Sequence, residues 1–443
     1  MPTPEPVGDN LSAWLEYIGS VHLTEIELGL DRVGAVANRL GITRPAPIVV
    51  TVAGTNGKGS VVGCLEAALS ACGFRTGTYT SPHIHQFNER IRLGGEPMGN
   101  ASIVSALASV DNARAGISLS YFEFATLAAL WLFQQEAADI AILEVGLGGR
   151  LDAVNLIDPD VSVITSIDLD HQEWLGNDRE SIAMEKAGIL RAESAFVCAD
   201  DSPPQCLLDR ATELGCPGYL LGQDFDLELI DGQVCWRGRN HDGNEIYLDG
   251  FSAMPVLARA NVAAAIQVLQ LLPLEIDLKQ TVTLLQGLGI PGRQEWRQDR
   301  ETGHKVLLDV AHNPAASALL AKTLAHWRET AATGSRVIAV VGVMADKDIQ
   351  DMARNLESST DIWYIAELAV PRSMQPEKLE NQLMDSGFTR PLHRFDTIEQ
   401  AYETACAGSE KNDLIVVTGS FYTVAALREN TRAERSPMEE AAA

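Results

Sequence analysis

Short aliphatic runs recur along the chain and alternate with longer stretches whose apolar positions repeat at helical spacing. This alternation predicts strand–helix–strand units and a largely parallel α/β sheet, since each helix must bury its apolar face on a sheet. In the first half the strand-like runs are Ile48–Val52, Thr76–Thr80, Ile140–Val145 and Val161–Ile167. Helices are predicted over Val61–Ala71 and Phe122–Ala137. From about 195 to 250 the runs shorten and Pro, Gly and Asp become frequent, which predicts a peripheral meander; a buried helix is predicted over Asn261–Leu272. The stretch Gly287-Leu-Gly-Ile-Pro-Gly292 is rich in chain-breaking residues and sets the domain boundary, giving 1–290 and 291–443. Beyond it, Val306–Val310, Arg336–Val341, Asp361–Ile365 and Leu414–Thr418 read as strands separated by helices. The expectation is therefore a mostly parallel N-terminal α/β domain followed by a smaller, Rossmann-like one. The charged, Ala-rich tail after Arg428 reads as frayed.

Composition narrows the function. With 46% hydrophobic and 21% charged residues in 443, the chain is an ordinary globular protein. Asp and Glu number 60 against 34 Lys and Arg, a net charge of −26. Such a field repels nucleic acid and anionic membranes, so any anion must be met by backbone amides, a few cations or metal ions. The seven cysteines are scattered and form no C-x-x-C pair, which fits a reducing compartment and excludes a zinc site of the usual spacing. Residues 1–20 carry no signal-peptide pattern, and no apolar run approaches a membrane span. A soluble cytoplasmic protein is expected.

The sharpest local signal is Ala53-Gly-Thr-Asn-Gly-Lys-Gly-Ser60, between a predicted strand and a predicted helix. Glycine amides and a helix N-terminus in that setting cradle phosphate. Gly54, Gly57 and Gly59 let the backbone approach a ligand, and Lys58 supplies a point charge for the outer phosphates. Ser60 is a candidate for phosphate or metal. The spacing departs from the common G-x-x-x-x-G-K-[ST] loop, because the upstream glycine is closer and Gly59 separates lysine from hydroxyl. An ATP site of P-loop type is expected.

Three further candidates follow neighbouring strands: Ser81 after Thr76–Thr80, Glu144 at the end of Ile140–Val145, and His171 just past Val161–Ile167. Ligands bind beyond the carboxyl ends of strands in open α/β sheets. A buried carboxylate there needs a positive partner, and magnesium is the natural one beside phosphates. Taken singly, each has a plainer reading: a turn serine, a capping glutamate, a surface histidine. Lys186, after Glu185 in a helical stretch, reads by itself as a solvated face.

Several motifs occur in order: Ala53–Ser60; Tyr79–Arg90 with Phe-Asn-Glu-Arg; Leu143-Glu-Val-Gly-Leu-Gly-Gly-Arg-Leu-Asp-Ala-Val-Asn155; Asp170-His-Gln-Glu-Trp-Leu-Gly176; Glu185–Ile189; Pro291-Gly-Arg293; Asp309-Val-Ala-His-Asn-Pro314; and Asp346-Lys-Asp348. From about Leu11 to Leu427 the chain closely resembles the folylpolyglutamate synthase family, in particular its bacterial bifunctional dihydrofolate synthase/folylpolyglutamate synthase branch. That family belongs to a wider group of ATP-dependent amide ligases that includes the Mur ligases. Those typically carry a hydroxyl residue directly after the loop lysine, so Gly59 favours the folate branch.

The resemblance implies a Mur-type central domain with ATP and Mg2+, expected as two ions. It implies that Thr55, Asn56, Gly57, Lys58, Gly59 and Ser60 contact the nucleotide, with Asn261, Arg293 and Asp309 as further contacts. Ser81, Glu144 and His171 match magnesium ligands, and Lys186 matches a lysine carbamylated in related enzymes, which replaces the solvated-face reading. The pterin site is matched by Ile26, Glu27 and Leu28, by Ser120, Tyr121, Phe122 and Glu123, and by Leu151, Asp152 and Ala153. It follows that the expected reaction joins L-glutamate to dihydropteroate and to reduced folates through an acyl phosphate. Lys58, Lys186 and His312 are the candidate catalytic groups, although His312 also reads as an ordinary loop histidine. The second domain is expected to take glutamate and close over the cleft, with Arg293 sensing nucleotide. No nucleic-acid or membrane partner is expected, and the chain is expected to be a monomer. The alternatives are a monofunctional folylpolyglutamate synthase, another Mur-type amino-acid ligase, or a nucleotide switch without ligation.

Overall fold

The structure is a computed structural model and describes residues 8, 10–22, 24, 27–231 and 233–433. The chain divides into two compact units, Met1–Gln286 and Gly287–Ala443. The Gly/Pro-rich stretch thus belongs wholly to the second unit.

The first unit is built on strands β1 (Ile48–Ala53), β2 (Thr76–Tyr79), β3 (Ile91–Leu93), β4 (Glu96–Pro97), β5 (Ile140–Glu144), β6 (Val161–Ile164), β7 (Ala195–Cys198) and β8 (Gly218–Leu220). They form one sheet in the order β4-β3-β2-β5-β1-β6-β7-β8. From β2 to β8 the pairing is parallel, and the β3–β4 hairpin adds an antiparallel edge. The central strands are buried on both faces, which explains their continuous apolar sequences. Two ten-residue helices, Leu11–Ser20 and Asp31–Leu40, pack Trp14, Ile18, Val33 and Val36 into this core.

The Pro/Gly-rich region contains a separate antiparallel sheet of β9 (Asp226–Ile230), β10 (Gln233–Arg239) and β11 (Glu245–Phe251). It is fastened to the helix Arg259–Leu271: buried Trp236 donates its indole N–H to Ala263 O at 3.0 Å, and Gln267 exchanges hydrogen bonds with the Arg239 backbone at 2.6 and 3.1 Å. That anchoring fixes the helix that carries Asn261.

The second unit contains β12 (Glu295–Asp299), β13 (Lys305–Leu308), β14 (Val337–Val341), β15 (Ile362–Ala366), β16 (Leu392–Phe395), β17 (Leu414–Thr418) and β18 (Thr431–Ala433), in the order β16-β15-β14-β17-β13-β12-β18. Successive side chains of a strand point to opposite faces, and here they enter two different cores. Leu307, Ala339, Val341, Ile365 and Val416 enter one, while Val306, Ile338, Val340, Tyr364 and Val417 enter the other. Helices cover both faces, the doubly wound arrangement expected from the sequence.

Candidate active site

The phosphate loop leaves β1 and enters the helix Lys58–Ala71, whose N-cap Gly57 is left-handed at φ 89°. Two contacts make glycine obligatory here. A Cβ on Gly54 would lie 1.7 Å from Thr165 Oγ1, and one on Gly57 would lie 2.4 Å from Asn261 Oδ1. The loop is held from β6's extension: Thr55 N donates to Ser166 O at 2.7 Å, and Asn56 N to Ser166 Oγ at 3.3 Å. Lys58 begins the helix and folds its ammonium back onto Gly54 O and Thr55 O, at 3.0 and 3.2 Å. Ser60 is buried one step into the helix.

Glu144 ends β5, beside β1, in register with Val52. It is 4% exposed, and its Oε2 accepts the amide of Ser81 at 3.1 Å. The Glu144 carboxylate lies beside the loop: a Cβ on Gly59 would meet both of its oxygens at 3.9 Å, an ordinary van der Waals contact. His171 follows β6, exposed and left-handed at φ 51°, at the head of a one-turn helix Gln172–Leu175. The structure thus joins Ser81 to Glu144 directly and places His171 in the loop after the next strand but one. Among the described residues no three His, Cys, Asp or Glu side chains are gathered into a metal cage. The donors present are a carboxylate, a hydroxyl and an imidazole next to a phosphate loop. They fit a magnesium-type ion, which uses one or two carboxylates and completes its shell with phosphate oxygens and water.

Lys186 lies in the helix Arg179–Ala187 and is 3% exposed. Burial, reinforced by the charge of Lys58, pushes its ammonium down to about 7, with Asp170 opposing. The solvated-face reading is therefore overturned: a sizeable fraction of the amine is neutral near pH 7. Asp152 is buried and pushed up to about 6 by desolvation, although Leu147 and Val154 each donate a backbone N–H to it at 2.9 Å. Lys58 lies within Coulombic reach of both groups.

Of the segments matched to pterin binding, Ile26 lies outside the described residues. Gly29 N donates to Leu151 O at 3.2 Å, which ties the Glu27–Leu28 strip to Leu151–Ala153. Ser120 and Glu123 form a reciprocal capping box at the start of the helix Tyr121–Gln135, with contacts of 3.3 and 2.7 Å. Arg32 pairs with both Glu123 and Glu27. Phe122 packs on Tyr79 with centroids 5.9 Å apart, and only a glycine at 146 leaves room for its ring.

In the second unit, Asp309 follows β13 and accepts Gln294 N and Ala311 N at 2.9 and 2.8 Å. Desolvation holds its carboxyl above the usual range, with Arg293 and His312 opposing. Arg293 stacks over Phe421 at 4.8 Å, and the His312 ring lies 5.9 Å from the same ring, its Nδ1 2.8 Å from Val310 O. Sequence reading missed Phe421. Its only signal is position, as the first helical residue after β17, next to β13 in the sheet.

Residues 52–224 match the Mur ligase middle domain, and residues 292–421 match the Mur ligase glutamate ligase domain. The dihydrofolate synthase/folylpolyglutamate synthase of Escherichia coli is 39% identical, covering 96% of this chain and 96% of its own length. The chain belongs to this family. The Haemophilus influenzae dihydrofolate synthase/folylpolyglutamate synthase is 36% identical over 94% of the chain. Among solved structures of the family, Escherichia coli FolC in complex with DHPP and ADP superposes with a TM-score of 0.88, covering 96% of this chain and 98% of that one. The Yersinia pestis bifunctional folylpolyglutamate synthase/dihydrofolate synthase complexed with AMPPNP and Mn gives 0.87 at 40% identity, covering 97% of this chain and 99% of that one. Within the dihydrofolate synthase/folylpolyglutamate synthase family, two glycines around Lys58 have a local reason in this chain, the close approach of Thr165 to Gly54 and of Asn261 to Gly57.

Proposed function

We propose that this protein is an ATP-dependent ligase that joins L-glutamate to dihydropteroate, giving dihydrofolate, and to the γ-carboxylate of reduced folates. The observation that carries the reading is the buried Glu144 carboxylate set against a glycine-lined phosphate loop with Lys58 at its head. A carboxylate is a poor electrophile, because its charge repels an amine and oxide does not leave. Transfer of the γ-phosphoryl group of ATP to it gives an acyl phosphate and ADP. The glutamate amine then attacks the acyl carbon, and inorganic phosphate departs. The protein's part is positioning and charge neutralisation.

Thr55–Ser60 supply amides to the phosphates, Lys58 a positive charge, and Asn261 a wall against the loop. Glu144, Ser81 and His171 would hold magnesium, which neutralises phosphate charge when bound. Lys186, neutral in a substantial fraction near pH 7, is suited to capture CO2 as a carbamate, which would give a second anion for metal support. We assign Glu27, Leu28, Tyr121, Phe122, Leu151, Asp152 and Ala153 to the pterin site. Ser120 and Glu123 shape it through their cap. Arg293 and Asp309 are assigned to nucleotide, His312 to the transferring phosphoryl, and the second unit to glutamate. The reading includes a monomer working in the cytoplasm, where free cysteines persist.

Mass analysis of products from ATP, glutamate and either dihydropteroate or tetrahydrofolate tests the proposal. Both substrates are expected to gain one glutamate. Product from tetrahydrofolate alone would reduce the enzyme to a single activity, and product from neither would overturn the reading.

A further inference from the structure

Most arginines of this acidic chain pair with a carboxylate, but Arg90 does not. It ends the one-turn 3-10 helix Phe87–Arg90, just after β2 and Ser81. The neighbouring Glu89 is committed elsewhere, accepting the amides of Ile84, His85 and Gln86 at 2.7, 2.9 and 2.8 Å. Arg90 Nε donates to His83 Nδ1 at 2.8 Å, and the guanidinium carbon lies 5.8 Å from the Phe87 ring centre and 5.7 Å from that of Tyr121. Among the described residues its two terminal nitrogens have neither a hydrogen-bond acceptor nor an ion-pair partner. The plane is thus fixed by one hydrogen bond and two rings, while the forked end is left to something outside the protein. A guanidinium fork is the group best matched to a planar carboxylate.

Its neighbourhood indicates which carboxylate. The buried phenol of Tyr79 lies within Coulombic reach of Arg90, Tyr121 and Asp152 together. Tyr121 and Asp152 belong to two of the segments assigned to the pterin substrate, and Ser81 to the metal site. Arg90 thus lies against Tyr121 on one side, and its carbonyl accepts the amide of Thr80, the residue before Ser81, at 2.9 Å. That is where the reacting end of a pteroyl or folyl chain must lie if its pterin occupies those segments.

Resting on the ligase reading above, we propose that Arg90 binds the carboxylate of the pteroyl or folyl substrate and presents it for phosphorylation, with His83 as the positioning residue that fixes the guanidinium. An acceptor at residue 83 is required for this, not an imidazole as such. Incoming glutamate also carries carboxylates, so the test separates the two.

Equilibrium binding is measured for dihydropteroate and for its decarboxylated aniline analogue, on wild type and on Arg90→Gln. The variant is expected to lose roughly 10- to 100-fold in affinity for dihydropteroate and almost none for the analogue, with Arg90→Lys in between. In turnover, KM for dihydropteroate should rise while KM for glutamate stays unchanged. His83→Leu should reproduce part of the loss and His83→Gln, which keeps an acceptor, should restore it. Equal loss of both ligands, or a rise confined to the glutamate KM, would overturn the assignment. Equal defects in His83→Leu and His83→Gln would remove the role of His83. Binding is read without turnover, so a wild type that binds both ligands but makes no dihydrofolate would fail the ligase reading and leave this test intact.

Discussion

Lys186 shows how much a single residue's meaning depends on burial. As a letter following a glutamate on a helix it is unremarkable, but at 3% exposure its ammonium is desolvated and faces the field of Lys58. Its folded value near 7 lies below its ordinary 10.5. The unfolded chain therefore binds more protons between those limits, and this residue makes stability rise with pH across the same window. Lys186→Met in CO2-free buffer is expected to raise the melting temperature most at or below pH 7. The gain should shrink as pH approaches 10, and ligation should fall by ~10²-fold. A melting difference independent of pH would show that the amine is not held neutral in the fold.

At the scale of elements, the strand–loop–helix unit and a distant helix make one device. Gly57 must be left-handed to turn β1 into the helix Lys58–Ala71, and the Asn261 side chain closes the space a methyl would need. Gly57→Ala is expected to raise KM for ATP by about tenfold or more, since both the positive φ and the clash oppose it. Adding Asn261→Ala removes only the clash. Thermal melts of the double variant should recover part of the lost stability, and complete additivity of the two changes would deny the contact. The Ser120–Glu123 box shows the converse. Sequence marked these residues for substrate, and the structure shows them capping a helix while Arg32 links Glu123 to Glu27. The contacts that the structure gives them are those of a helix cap and an ion pair.

At the scale of the molecule, a net charge of −26 surrounds a chemistry carried out on anions. Positive charge must then be imported locally. Chelation of divalent ions is expected to abolish turnover and weaken ATP binding, with Mn2+ as well as Mg2+ restoring both; full activity in chelator would remove the metal from the mechanism. The residues proposed above for the reaction fall in both sequence segments. Lys58, Glu144 and Lys186 belong to Met1–Gln286, and Arg293, Asp309 and His312 to Gly287–Ala443.

The sequence by itself determined the class of fold, the phosphate loop and most strands, because continuous aliphatic runs and Gly-rich turns are local properties of the chain. It also carried the motif order that identifies the family. It overran the ends of strands, placing Val161–Ile167 where β6 stops at Ile164, because Thr165 and Ser166 leave the ladder to brace the loop. It gave no sign of the short N-terminal helices, whose apolar faces acquire meaning only against the core they cover. Tertiary structure alone decided that Gly57 faces Asn261, that Lys186 is dry, and that Arg90 meets Tyr121. Those are encounters between residues tens to hundreds of positions apart, and burial and Coulomb energy are set by such neighbours in space.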